Sequence, residues 1–377
     1  MRIFAHRLLT PSGMEENRIV TLRDGLIFSV EAGTKDEQAD FSAEYLTPGL
    51  IDLHCHGGEG FNARDYGLNE IEPFLSKMRA SGVTDFLLTI STGDRAHMRH
   101  GLEVTREAMR LQQSGKLGGA RILGAHLDGP FLSMARPGAM QQSEILSPST
   151  QKYEEMFSGF EDIIKKVTLA PEEQGADELI KHLLDNGVRV QAGHTHATFE
   201  QAERAFQLGV GSLCHSFNAC RPINHRDPGV VVAALENKDV YMEAICDFVH
   251  LHPAIARLIY TMKGAGRMIL ISDSTLTHGL PNGQYHVEGY DIVVKDGVSR
   301  TASGALDGGG AYLDGAIRNL VSAGIPFAEC AVMASRTPAE RMGLDLLGDI
   351  APGKKAHVVA WDKALKPCLT VMDDMIQ

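Results

Sequence analysis

From Leu50 onward, apolar residues fall into short runs that alternate with longer amphipathic stretches. Candidate strands occupy residues 50–54, 85–90, 121–126, 166–170, 189–194, 212–215, 241–246 and 268–273. Short apolar runs of this kind mark strands buried on both faces. Between them the period becomes helical. Ile71, Phe74, Leu75 and Met78 recur at i, i+3, i+4 and i+7, and Leu179, Ile180, Leu183 and Leu184 follow that spacing in part. Further helices are predicted over 95–113, 199–208, 253–263 and 311–323. Eight buried strands alternating with helices imply a parallel sheet, and eight is the number that closes a (β/α)8 barrel. A doubly wound open sheet is the alternative. It would gather polar residues at one switch point, whereas here they end many strands.

The two ends of the chain read differently. Residues 18–22 and 26–30 are short strands around Arg23-Asp24-Gly25, whose Asp-Gly step signals a hairpin, and a charged loop follows over 34–40. Towards the other end, GDIAPGKK forms a turn before a strand over 357–361. A β-rich head and tail can pair. The expected organisation is a small β-sandwich from residues 1–47 and 345–377, and a catalytic barrel over 48–344. A glycine-rich, hairpin-like insert containing Lys295-Asp296-Gly297 interrupts the alternation between Ser274 and Gly310.

Composition narrows the partners. The 377 residues, 44% hydrophobic and 22% charged, suit a soluble globular enzyme. A formal net charge of -12 argues against nucleic acid or an anionic membrane as the main partner. No apolar run approaches the roughly 20 residues of a membrane span, and the start lacks the apolar core of a signal peptide. The six cysteines show no C-x-x-C pair, as expected of reduced thiols in a cytoplasmic protein.

The stretch PGLIDLHCHGGEG, residues 48–60, carries the first chemistry. Strand side chains alternate faces, so His54 and His56 point the same way at the end of an apolar run. In a barrel, catalytic groups come from the carboxyl ends of different strands. Those ends supply His54, His56, Asp128, His194, His215 and Asp273. Taken singly, each fits a histidine bonded to backbone or an aspartate capping a helix. Gathered at one end, they are the imidazole and carboxylate ligands of a catalytic divalent ion. Asp273, ending the last strand, is the candidate general base and acid. Arg226, in the loop Asn224-His225-Arg226-Asp227-Pro228-Gly229, could clamp a phosphate or simply pair with Asp227.

Several further segments carry a resemblance: GAHLDGPFLS, AGHTHAT, CHSFNAC, HRDPG, CDFVHLHP, ISDS, GLPNGQY and GDIAPGKKAHVVAWD. In this order they resemble the amidohydrolase superfamily and, within it, the N-acetylglucosamine-6-phosphate deacetylases. The resemblance runs from about Pro48 to Asp362. It implies a metal-dependent hydrolase that frees the amino sugar phosphate and acetate. His54, His56, Asp128, His194 and His215 match metal ligands. Asp273 matches the aspartate that takes the proton from the attacking water and passes it to the leaving nitrogen. Asn218, Ala219 and Arg226 match positions that hold the sugar phosphate, and His250 matches a substrate-contacting histidine. One or two divalent ions are implied, zinc first among them, together with a homodimer and a small phosphosugar substrate.

The chain also departs from that pattern. Asp128 stands where a glutamate is usual, Met140 where a histidine often contacts substrate, and His196 where asparagine is common. Asp307-Gly308-Gly309 replaces Ala-Gly-Ser. These changes surround the sugar and acyl region, which leaves the sugar epimer and the acyl group open. Two other readings stay open: an amidohydrolase of a cyclic amide or an N-acyl amino acid, and a metal-free barrel kept for assembly.

Overall fold

A computed structural model describes residues 1–34, 38–287, 289–373 and 375–376. Residues 35–37 of the charged loop, and 374 and 377 of the tail, lie outside the described residues. Eight parallel strands form one sheet: β1 (Leu50–Cys55), β2 (Val83–Ser91), β3 (Arg121–Asp128), β4 (Ile164–Leu169), β5 (Arg189–Ala192), β6 (Ser212–Leu213), β7 (Tyr241–Ile245) and β8 (Met268–Ile271). Each pairs with the next in chain order. The ring closes between β8 and β1, where the Asp273 N–H donates to the His54 carbonyl at 2.9 Å. The Ser272 N–H donates to Asp52 Oδ1 at 3.3 Å across the same seam. Burial pushes the Asp52 carboxyl up to about 6. This closure makes the fold a (β/α)8 barrel and excludes the open sheet.

Helices Ile71–Ala80, Arg95–Gln113, Ala176–Asp185, Phe199–Gln207, Pro253–Lys263 and Leu313–Ser322 lie where the helical period predicts them. Phe199–Gln207 starts with a capping box, in which Thr198 and Gln201 bond each other's backbone N–H. Four helices have no clear period in sequence: Thr150–Phe157, Gly229–Glu236, Phe327–Met333 and Arg336–Met342. The reason is plainest in Gly229–Glu236, GVVVAALE, which buries side chains all round and therefore lacks a polar stripe.

Three barrel strands stop earlier than the apolar pattern predicts. β5, β6 and β8 end at Ala192, Leu213 and Ile271. Two residues on, His194, His215 and Asp273 adopt φ of 45°, 22° and 49°. That left-handed conformation cannot continue a ladder, and it costs a side chain with Cβ on the order of 1–3 kcal/mol unless its surroundings hold it. The strand ends are bent at three of the candidate site residues.

The chain termini form a seven-stranded sheet ordered Met375–Ile376, Pro367–Met372, Val358–Trp361, Phe41–Pro48, Arg2–Thr10, Gly13–Arg23 and Leu26–Ala32. Head and tail join where Val359 pairs with Thr47. The sheet then folds over on itself, with the Ile27 N–H donating to the Lys354 carbonyl and the Ala356 N–H to Gly25, both at 2.9 Å. Ile3, Leu8, Val20, Leu46, Val358 and Val371 fill the space inside this small sandwich. Val359 and Trp361, on the opposite face of their strand, join the barrel's core. The Trp361 indole donates to Thr47 Oγ1 at 2.8 Å. The Asp-Gly hairpin is present: Arg23 pairs with Leu26, and Asp24 and Gly25 sit at φ 53° and 70°. The insert is a three-stranded sheet, Gly283–Val287, Tyr290–Lys295 and Val298–Thr301, and its Val287 and Tyr290 line the mouth of the barrel.

Candidate metal and substrate site

His54 is the next-to-last residue of β1 and His56 lies just past its end, and their Nε2 atoms come within 3.1 Å of each other. Asp273, brought beside them by the β8–β1 seam, places Oδ1 3.1 Å from His54 Nε2 and 3.4 Å from His56 Nε2. Asp128, His194 and His215 form a second group. In it, His194 Nε2 lies 3.5 Å from Asp128 Oδ2 and 3.1 Å from His215 Nε2. Asp128 joins the two groups, since its Oδ2 is also 3.8 Å from His54 Nε2 and 4.0 Å from that of His56. The shorter acid therefore reaches. Its carbonyl is fixed by Thr92 Oγ1 at 2.8 Å, and the next residue must be glycine, because a Cβ on Gly129 would lie 2.0 Å from that same oxygen.

The donors fit a divalent ion. The outer nitrogens of three of these imidazoles face fixed neighbours, which leaves Nε2 to the cavity. His56 Nδ1 meets Ser91 Oγ at 2.9 Å, and His194 Nδ1 donates to the Arg136 carbonyl at 3.2 Å. His54 Nδ1 faces Cys214 Sγ at 3.4 Å and Glu243 Oε2 at 3.8 Å. Among the described residues, Asp128 Oδ1 and His215 Nδ1 are buried without a hydrogen-bond partner. Each group offers three ligands, enough for one ion with a position left for water. The charges agree. Burial pushes Asp273 up, but His54 and His56 outweigh it and hold the carboxyl well below its usual range. Asp128 follows the same pattern, with His194 as the main opposing charge. Burial and the neighbouring His194 push His215 down to about 4, leaving a neutral imidazole.

A cavity of about 250 Å³ opens over these groups, lined by the candidate substrate residues Met140, Asn218, Ala219 and His250, and also by Tyr290 and Asp307. His250 is aimed by Asp247, whose Oδ2 takes its Nδ1–H at 2.8 Å. Arg226 is placed differently. It is exposed, donates to His225 Nε2 at 2.9 Å, and does not line the cavity; Asp227 pairs with Arg221 rather than with Arg226.

The Amidohydrolase family model matches residues 45–376. The chain belongs to the amidohydrolase family. An N-acetylgalactosamine-6-phosphate deacetylase from Escherichia coli O157:H7 is 35% identical over 96% of this chain and 95% of its own length. The N-acetylglucosamine-6-phosphate deacetylase of Bacillus subtilis is 32% identical over 97% and 93%. Among solved structures, an Asp-to-Ala mutant of the Mycobacterium smegmatis N-acetyl-D-glucosamine-6-phosphate deacetylase, in complex with N-acetyl-D-glucosamine-6-phosphate, superposes with a TM-score of 0.92. It is 30% identical, over 100% of this chain and 98% of that one.

Some residues that contact the candidate site escape a reading by strand ends. Asp247 sits three residues before His250, a spacing present inside CDFVHLHP. Glu243 interrupts the apolar strand β7, and Lys166 interrupts β4. In the barrel they form a fully buried pair at 2.7 Å. A charge inside a buried strand is the signal that marks both. Ser91 carries no such signal, because only the three-dimensional approach of β2 to His56 gives it a role.

Proposed function

We propose that this amidohydrolase uses His54, His56, Asp128, His194, His215 and Asp273 to remove the N-acetyl group of an N-acetylhexosamine 6-phosphate. The products are the amino sugar phosphate and acetate. The observation that carries the reading is the position of Asp273: an ionised carboxylate within 3.4 Å of two imidazole Nε2 atoms, facing the cavity that Asn218, Ala219 and His250 line. His54, His56, Asp128, His194 and His215 would hold a divalent ion, zinc in this proposal, which when bound would supply the Lewis acidity that polarises an amide carbonyl and acidifies water. Asp273 takes the proton of the attacking water and returns it to the amide nitrogen as the C–N bond breaks, so the amine leaves neutral. His250, fixed by Asp247, presents its other nitrogen to the substrate. Asn218, Ala219 and Arg226 hold the phosphate, with a second copy of the chain completing that end. Relatives that resemble this chain act on both the gluco and galacto compounds by name. Among the described residues no helix is long and apolar enough to cross a membrane.

The exposed position of Arg226 favours one second reading, an amidohydrolase of an unphosphorylated N-acyl compound. Comparing kcat/KM for N-acetylglucosamine 6-phosphate and N-acetylglucosamine separates the two. A phosphosugar enzyme prefers the phosphorylated compound by at least about 100-fold, and Arg226→Ala loses about 10-fold or more on it, mostly in KM. Equal turnover of both compounds, unchanged by Arg226→Ala, supports the second reading.

A further inference from the structure

Asp307 is a carboxylate the reaction above does not use. It is 5% exposed and lines the substrate cavity. Its backbone N–H is pinned to the Ser299 carbonyl at 3.0 Å, on the last strand of the insert. The next two residues press against the segment that carries Asp273. Gly309 N–H donates to the Asp273 carbonyl at 2.7 Å, and a Cβ on Gly308, at φ +72°, would lie 2.4 Å from Thr275 Cγ2. Asp307 is thereby held at the reacting end of the cavity, where its charge is felt by His56 and Asp273.

A buried carboxylate needs a cation or several hydrogen-bond donors. Among the described residues, two neutral hydroxyls reach this side chain: Tyr290 Oη at 3.0 Å on Oδ1 and Thr275 Oγ1 at 3.4 Å on Oδ2. Asp307 belongs to neither ligand group. Burial, reinforced by Asp273, pushes its carboxyl up against the opposing pull of Tyr290 and His56. A further donor entering the cavity would complete its hydrogen bonding.

We propose that Asp307 is a specificity-determining residue: it accepts a hydrogen bond from a substrate hydroxyl next to the scissile amide, carried on the acyl group or on a sugar carbon adjoining the nitrogen-bearing one. The proposal rests on the deacetylase reading. It adds a chemical requirement to it: the preferred substrate carries a hydroxyl donor at that end, and a substrate lacking it is discriminated against.

The test uses metal-loaded protein with its metal content measured, as wild type, Asp307→Ala and Asp307→Asn. Each is assayed on N-acetylglucosamine 6-phosphate and its N-glycolyl, 1-deoxy and 3-deoxy analogues. A hydrogen bond to a charged group sets the size of the effect. Asp307→Ala lowers kcat/KM by about 10–100-fold on the substrate that carries the recognised hydroxyl, and by less than about 3-fold on the analogue that lacks it. Asp307→Asn, which keeps the shape and one acceptor oxygen, loses less than Ala. If the N-glycolyl compound alone shows the loss, the hydroxyl is on the acyl group. If the 1-deoxy or 3-deoxy analogue alone escapes it, the hydroxyl is on the ring. An equal loss on every substrate, or none on any, overturns the proposal and leaves Asp307 a tie between insert and barrel. Wild type that turns over none of the four, nor N-acetylgalactosamine 6-phosphate, overturns the deacetylase reading and this proposal with it.

Discussion

Lys166→Met breaks a deeply buried ion pair in the barrel. Lys166 Nζ and Glu243 Oε1 are 2.7 Å apart, and both side chains are 1% exposed. Removing one partner of such a pair leaves an uncompensated charge, at a cost of about 3–5 kcal/mol. Burial pushes Glu243 up, but Lys166 and then His54 outweigh it and hold it at about 2. Without Lys166 burial prevails, and the folded-state pKa rises towards or above the unfolded value. A raised carboxylate pKa weakens the folded state as pH rises, so the deficit is larger at pH 8 than at pH 5. Adding Glu243→Gln removes the stranded charge and recovers stability to within about 1 kcal/mol of wild type. The double variant still lacks the carboxylate beside His54 Nδ1, so its metal affinity stays down by about 10–100-fold. The assay is urea unfolding of the metal-free proteins, followed by the single tryptophan, Trp361, and by far-UV circular dichroism, with metal affinity titrated separately. A single variant that loses less than 1 kcal/mol, or a double variant as unstable as the single, refutes the reasoning.

Two further predictions follow from the same geometry. Asp273→Asn keeps the shape of the site but cannot accept the water's proton; kcat falls by about 10²–10⁴-fold, read as acetate release from protein of known metal content. Between barrel and sandwich, His357 Nδ1 meets Asp85 Oδ2 at 2.7 Å, and its Nε2 lies 3.4 Å from Asp373. Burial pushes His357 down, but Asp85 and Asp373 outweigh it and raise its pKa above the usual 6.5. Its stabilisation is complete below about 6.5 and is lost as pH rises through the folded value. His357→Gln should flatten the stability loss of the wild type as pH rises above about 6.5, and an unchanged slope by denaturant titration contradicts this.

The barrel was legible because its strands are apolar throughout and its main helices carry one apolar stripe. Gly229–Glu236 was not, because a helix buried on all sides and a buried strand look alike in sequence. The candidate ligand groups are legible because histidines and aspartates rarely end so many apolar runs. The ends of β5, β6 and β8 are legible only to within two residues, since nothing in a local pattern reveals that His194, His215 and Asp273 turn left-handed. Arg226 shows the opposite limit. Its residue type and loop suit a phosphate, but a single chain leaves it in solvent outside the cavity. Asp247, Ser91 and Glu243 act through other side chains, and such roles depend on approaches between distant strands.

In the proposed reaction the residues around Asp273 use a divalent ion to hydrolyse the amide of an amino sugar phosphate. The decisive assay is acetate release from N-acetylglucosamine 6-phosphate and from its galacto epimer, by protein of measured metal content. Turnover of at least one is expected, abolished by chelation and restored by a divalent ion. Metal-loaded, folded protein that releases acetate from neither would contradict it.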